Sequence, residues 1–585
     1  MQQAAVIIGV SETASSQLQK LQAAISSARA MEKWAKAQGF KHVVVLTDED
    51  GPLRIYKIKD AIEELLKKNI DQLFVYFSGH GVNNLFSEYW LLSKAPTDPQ
   101  EAVNVSGSVD LARRAGVPHV VFISDACRTA ADGIQAQSVR GSEIFPNNPV
   151  TGPEKHVDMF FAAVLGDPAL EIKGADQSYS ALYTEVLAKG LSCEVDDCLE
   201  SAKLDGRNVA LVKPWPLKYY LDAAVPRRLV AAAVSPTISQ IPDARITSPP
   251  GAWLAQKVLP EQATPPVQPI TPLAPGPLPD TVSPLMASRL TGLEARSRGF
   301  IGRTEERALA PGEHTRGLPQ ETSAKIEAEA AARAMPFGRM HFESRCGFKV
   351  QGAQLAKCYH PTVATEVYGP DSAVVWPQQP VSIVLSMTDG QGVILPAIPE
   401  FVAGLTFEGD RLVNVVYEPA DTSPRWPEYH IKIEKLRKLR GRIAAAARHG
   451  IFQPTGDGVG ELARQMQFSK GYDPTMALYA AYAYHSIQRR DRILEMEQYL
   501  FDDLQLRFFD LALLAGTFHE RREQPILPAT PLLSQGWALL SAREVTLPTA
   551  LAELPKTLTN SLWSTFNAAG VEMLTAALKA GEIKK

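Results

Sequence analysis

Four short apolar runs constrain this chain more than any other feature: AAVIIGV (4–10), HVVVLTD (42–48), QLFVYFSG (72–79) and HVVFISDA (119–126). Runs this apolar along their whole length read as strands buried on both faces. The segments between them carry apolar residues at helical spacing: Leu18, Leu21, Ile25, Ala28, Met31 and Trp34 before the second run, then Ile58, Ile62, Leu65 and Leu66 within 55–70. VDMFFAAVLG (157–166) extends the series. Strands alternating with amphipathic helices predict an α/β domain: a mostly parallel sheet with helices on both faces. In such sheets functional sites form beyond the carboxyl ends of the strands.

At 585 residues the chain exceeds one ordinary core. The α/β pattern occupies 1–233. Between 236 and 284 lie 13 of the 43 prolines, a density that removes backbone donors, and the following stretch is rich in Arg and Gly. We read 234–320 as a Pro/Arg-rich linker. The segment 321–427 is read as a short helix over 321–335 and a small antiparallel β unit, with turn signals at Asp389-Gly390 and Glu408-Gly409-Asp410. From 428 to 585 the spacing is helical, with Asp473 and Pro474 opening one helix and no fixed repeat. This last part is expected to be an irregular α-helical regulatory or recognition domain.

A net charge of −4 over this length provides no global field for nucleic acid or an anionic membrane. The basic positions Lys432, Lys435, Arg437, Lys438, Arg440, Arg442 and Arg448 share one expected helix with few aromatics, so they read as a solvated face opposite Ile433, Leu436, Leu439 and Ile443. Five cysteines form no disulfide framework, no apolar run is long enough to span a bilayer, and the start lacks a secretory pattern. The cytoplasm is the expected setting. Cys193 with Cys198, and Cys346 with Cys358 and His360, are incomplete as zinc sites, so no metal and no cofactor is expected.

Two of the strands run directly into chemistry. QLFVYF leads into Ser78-Gly79-His80-Gly81, and HVVFIS leads into Asp125-Ala126-Cys127-Arg128. Parallel strands present their carboxyl ends at one edge, so His80 and Cys127 are expected to meet there. An imidazole beside a thiol can take its proton and return it to a leaving amine. Glycines flanking His80 allow close backbone approach, and the N–H groups of Gly81 and Cys127 are candidates to hold an oxyanion.

YFSGHG followed 47 residues later by SDACR resembles the caspase-like cysteine peptidases, particularly the prokaryotic orthocaspase and metacaspase-like branch. The resemblance covers residues 4 to about 230 and includes AVIIGV, VVVLTD, FFAAVLGDPALE (160–171) and the helical YSALYTEVLAKGL (179–191). It implies a His/Cys dyad: His80 as general acid/base, Cys127 as nucleophile and Gly81 as an oxyanion donor. It also implies that Asp125 faces the first specificity pocket and selects Arg or Lys in protein substrates, through a charge-assisted hydrogen bond. Two positions depart from the family pattern: Ser26-Ser27 replaces an Asn-Asp pair on the first helix, and Ser11-Glu12 follows the first strand. Asp167 and Glu171 are candidates to compensate.

The polar stretch 128–156, opened by Arg128, falls where caspases carry the loop between large and small subunits; it is expected to be exposed, and Arg140 in it is the autoprocessing candidate. Arg289, Arg296, Arg298, Arg303, Arg307 and Arg316 are alternative cuts, although solubility explains them more simply. By family analogy the role is regulated proteolysis in bacterial cell death or defence. A protein partner on the C-terminal domain fits the layout. The alternative is a caspase-fold interaction scaffold without turnover.

Overall fold

The structure is a computed structural model and describes residues 1–15, 18–84, 87–129, 138–173, 179–204, 206–232, 240–259, 345–447, 450–454, 458–520 and 525–583. The expected helix over 321–335 and the six linker arginines lie outside them.

The N-terminal half is built from strands β1 (Gln3–Gly9), β2 (His42–Thr47), β3 (Gln72–Gly79), β4 (Gly81–Asn83), β5 (Glu88–Leu91), β6 (Ala102–Asn104), β7 (His119–Ala126), β8 (His156–Phe161), β9 (Glu171–Lys173), β10 (Tyr179–Ala181), β11 (Leu199–Leu204), β12 (Arg207–Val212), β13 (Asp243–Arg245) and β14 (Ala255–Val258). Its helices are α1 (Ala24–Ala37), α2 (Ile55–Leu66), α3 (Val105–Ala112), α4 (Leu182–Leu191) and α5 (Pro214–Ala231). The main sheet runs β13-β8-β7-β3-β1-β2, parallel throughout except for β13.

Alternation along each strand divides the core in two. Ala4, Val6, Ile8, Leu73, Val75, Phe77, Val120 and Phe122 join Ile58, Ile62 and Leu65 of α2 and Val105 and Val109 of α3 on one face. Ala5, Ile7, Phe74, Tyr76, Val121 and Ile123 join Met31 and Trp34 of α1, Leu187 of α4 and Leu217 of α5 on the other. Strands β1, β3 and β7 are therefore covered on both sides, as expected, whereas β2 at the sheet edge is half-buried along its length. Helix α1 begins at Ala24, so Leu18 and Leu21 precede it: Glu171 accepts hydrogen bonds from the N–H groups of Gln22 and Ala23 and satisfies donors at the chain's entry to the helix.

The domain also extends past 233. Strand β13 pairs with β8 and β14 pairs with β12, so residues expected to be linker supply strands. A high proline content did not exclude pairing here, because these short strands carry none.

The second half contains β15 (Gly347–Gln351), β16 (Leu355–Tyr359), β17 (Thr365–Tyr368), β18 (Ser372–Val375), β19 (Val381–Met387), β20 (Gly392–Ala397), β21 (Phe401–Glu408) and β22 (Arg411–Pro419). Both expected hairpins form, β19–β20 around Gly390 and β21–β22 around Gly409, each glycine having a positive φ. Helices α6 (Trp426–Ala446), α7 (Val459–Ser469), α8 (Thr475–Ser486), α9 (Arg490–Leu504), α10 (Phe509–Ala515) and α11 (Ala568–Ala580) follow. The apolar faces of α6 to α10 share one continuous core with the β unit, from Phe348 and Leu385 to Met466, Tyr479 and Trp563, whereas α11 packs Leu574, Ala577 and Leu578 into a separate cluster. Asp473 accepts from Thr475 N–H at the start of α8. It also accepts from Arg440, which is buried against Glu418 and Asp473, so Arg440 does not belong to a solvated basic face. Ile433 is half-buried, and Arg448 lies outside the described residues.

The two halves meet along α3 and the β4–β6 hairpin strands. Tyr89, Leu91 and Val139 pack with Ile394, Trp537 and Leu578. Beside them Asp110 of α3 accepts a 2.6 Å hydrogen bond from Arg543 and lies 3.0 Å from His485 Nε2. Burial alone would raise the Asp110 pKa, but Arg543 and His485 overcome it and hold the carboxyl well below its usual range. Burial and Arg113 push the His485 pKa down, opposed by its hydrogen bond to Asp110, and its Nε2 lies 2.9 and 3.2 Å from guanidinium nitrogens of Arg113 and Arg543. Asp110→Ala strands these cations at the seam. We expect a loss of about 3–5 kcal/mol, read as a lower thermal unfolding midpoint and faster limited proteolysis between the halves; an unchanged midpoint contradicts this clasp.

Candidate active site

Strands β3 and β7 pair in parallel with Ser78 opposite Asp125 and Gly79 opposite Ala126. His80 and Cys127 are thus the next residue on each strand, leaving adjacent positions on one sheet edge. The structure places Gly81 against them: a Cβ there would run into the Cys127 carbonyl oxygen, with the Ala126 methyl 2.9 Å away. The second glycine of SGHG is a steric requirement of this approach.

His80 is half-buried, and its Nε2 lies 2.7 Å from the Gln19 carbonyl oxygen. A carbonyl only accepts, so Nε2–H donates and Nδ1 carries the lone pair. Burial lowers the His80 pKa, opposed by the Gln19 carbonyl and the charge of Glu171. Cys127 is half-buried, its Sγ 3.6 Å from the Ala169 carbonyl oxygen and 3.4 Å from Ala169 N. Burial raises the thiol pKa, and the nearby carboxylates of Asp125 and Glu171 add to the rise. Both shifts favour a neutral thiol beside a neutral imidazole, not a preformed ion pair.

Asp125 is 5% exposed and accepts a short hydrogen bond from Thr184 of α4, whose hydroxyl is 2.5 Å from the Tyr76 hydroxyl. Among the described residues no basic side chain is paired with it. Burial pushes its carboxyl up to about 6, partly opposed by Thr184, with Glu171 raising it further. Glu171 is itself committed to the entry of α1. The Asp167 carbonyl accepts from Arg128 N–H.

Arg128 and Arg140 differ from their sequence reading. Arg128 does not open an exposed loop: it is 2% exposed, bonded to Glu88 of β5, Asp243 of β13, the Ala163 carbonyl and Gln453, and stacked over Phe161 at 4.0 Å. Arg140 is half-buried, its N–H donates to the Pro99 carbonyl, and Val139 beside it is fully buried. Within 138–142 only Val139 is buried, joining the core at the seam between the halves, and its neighbours are half-buried. The partners Gln19, Thr184, Glu88 and Asp243 carried no sequence signal, since each acts through a contact distant in the chain.

Residues 2–204 match the family model of the caspase domain, and this part of the chain is a caspase domain. Caspase-1 from Spodoptera frugiperda matches at 15% identity over 42% of this chain and 87% of its own, with a TM-score of 0.28. Protein GSU0716 from Geobacter sulfurreducens matches at 14% identity over 42% and 92%, with a TM-score of 0.29. No curated protein matches in sequence.

The buried carboxyl gives a pH test. Because its folded pKa is raised, Asp125 favours the folded state fully below its ordinary value of 3.8 and loses that contribution as pH rises through about 6. At about 1.4 kcal/mol per pH unit the loss is about 3 kcal/mol. Asp125→Asn keeps an acceptor for Thr184 and removes the loss, so its unfolding midpoint relative to wild type should climb between pH 4 and pH 7.5. A difference flat with pH would contradict a buried carboxyl without a cation.

Proposed function

We propose that the chain is a caspase-like cysteine endopeptidase cutting proteins after Arg or Lys. Caspase-family domains are usually cysteine peptidases, and the observation that carries the reading is the adjacency of His80 and Cys127 beyond paired strands. Nδ1 of His80 takes the Cys127 proton as sulfur adds to the scissile carbonyl. The Nε2–H bond to Gln19 steadies the imidazolium that forms. The N–H groups of Gly81 and Cys127 hold the oxyanion, His80 protonates the departing amine, and water then hydrolyses the thioester. With thiol and imidazole neutral at rest, proton transfer accompanies attack.

Basic specificity is supported by charge. Asp125 and Glu171 face the same sheet edge and neither has a basic partner among the described residues. A guanidinium or ammonium entering there restores full ionisation to Asp125, whereas an acidic side chain meets repulsion. Cleavage at Arg140 requires 138–142 to leave the contacts that hold it, so autoprocessing there would follow a change at the seam between the halves. Regulated proteolysis in bacterial cell death or defence, in the cytoplasm, is the setting we infer for such an enzyme.

The test is a panel of fluorogenic peptides ending in Arg, Lys or Asp. We expect Arg and Lys peptides to exceed Asp peptides on the order of 100-fold, about 3 kcal/mol, and Cys127→Ala to abolish turnover by about 10⁴-fold or more. Cleavage after Asp alone overturns the role of Asp125. No cleavage of any peptide, with partner binding intact, favours the scaffold.

A further inference from the structure

A second constellation lies away from the dyad, at the seam. A cavity of about 90 Å³ opens between α3, β5 and β8 of the first half and residues 451–454 and α8 of the second. One water needs about 10–15 Å³ by this measure, so the space admits several waters or a small ion. Its walls include apolar Val109, Met159 and Leu539, yet two guanidinium groups also line it, Arg113 and Arg245.

Their surroundings leave them undercompensated. Arg113 is 4% exposed; one terminal nitrogen contacts His485, while its Nε is buried with no partner among the described residues. Arg245 stacks over Phe161 at 5.3 Å, and both its Nε and Nη2 are buried and unpartnered. The neighbouring acids are shared with other cations: Glu88 and Asp243 accept from Arg128, Asp110 accepts from Arg543 and lies 4.0 Å from Arg113 Nη1, and Glu154 lies 3.6 Å from Arg543. Burial pushes the pKa of both Arg113 and Arg245 down, as for cations short of counter-charge. Three orphaned donors cost about 1–3 kcal/mol each unless something accepts from them. A planar guanidinium fork matches the oxygens of an oxyanion.

We propose that this cavity binds a small oxyanion, of which inorganic phosphate is the simplest, between Arg113 and Arg245. Glu88 and Gln453 line the same cavity and also hold Arg128, the residue after Cys127. An occupant therefore sits one layer of hydrogen bonds from the nucleophile's strand.

The full chain tests this in phosphate and in chloride at equal ionic strength, by thermal unfolding and titration calorimetry, neither of which depends on peptide hydrolysis. Millimolar phosphate should raise the unfolding midpoint and give a saturable heat, with sulfate competing. Arg245→Gln should weaken binding at least 10-fold while folding with an unchanged or higher midpoint in chloride, since it removes an undercompensated buried cation. Arg113→Gln should weaken binding similarly. Equal midpoints in phosphate and chloride, or phosphate binding undiminished in Arg245→Gln, overturn the proposal and leave a water-filled seam.

Discussion

The arrangement rests on the parallel pairing of β3 with β7, in a register that sets Gly79 opposite Ala126. A slip of one residue would turn Phe77 and Phe122 off their shared face and part His80 from Cys127. Helices on both faces resist that slip, because each face would exchange its apolar set for the other. The core thereby fixes the spacing of the proposed dyad, and the close approach of Gly81 to Cys127 completes it.

Arg128 links that register to the rest of the molecule. Placed directly after Cys127, it draws together β5, β13 and residue Gln453 of the second half. A buried cation with these partners is satisfied only while all remain assembled. The conformation of the strand carrying the proposed nucleophile is thus tied to the seam, where Asp110, Arg543 and His485 form a second buried charge cluster. Through these contacts the C-terminal half has a physical route to the proposed dyad.

The sheet was legible in the sequence because parallel strands buried on both faces leave uninterrupted apolar runs, and their order placed SGHG beside SDACR. Strands β13 and β14 escaped notice because three or four residues among prolines give no period to read. Helix α1 was read too long because its true start depends on Glu171, distant in sequence by about 150 residues. Arg128 and Arg440 read as exposed for a common reason: a charged residue is assigned to solvent unless its partner is known. Their partners lie on other elements. Gln19 contributes only a backbone carbonyl, which no side-chain pattern announces.

The central claim is that His80 and Cys127 act as one unit. Labelling the intact chain with a peptidyl chloromethyl ketone ending in Arg, followed by peptide mapping, tests it directly. The account predicts one adduct, on Cys127, and at least about a 100-fold slower labelling in His80→Asn, which keeps a polar side chain but no base. An adduct on another cysteine, or Cys127 labelled equally fast without His80, would contradict it.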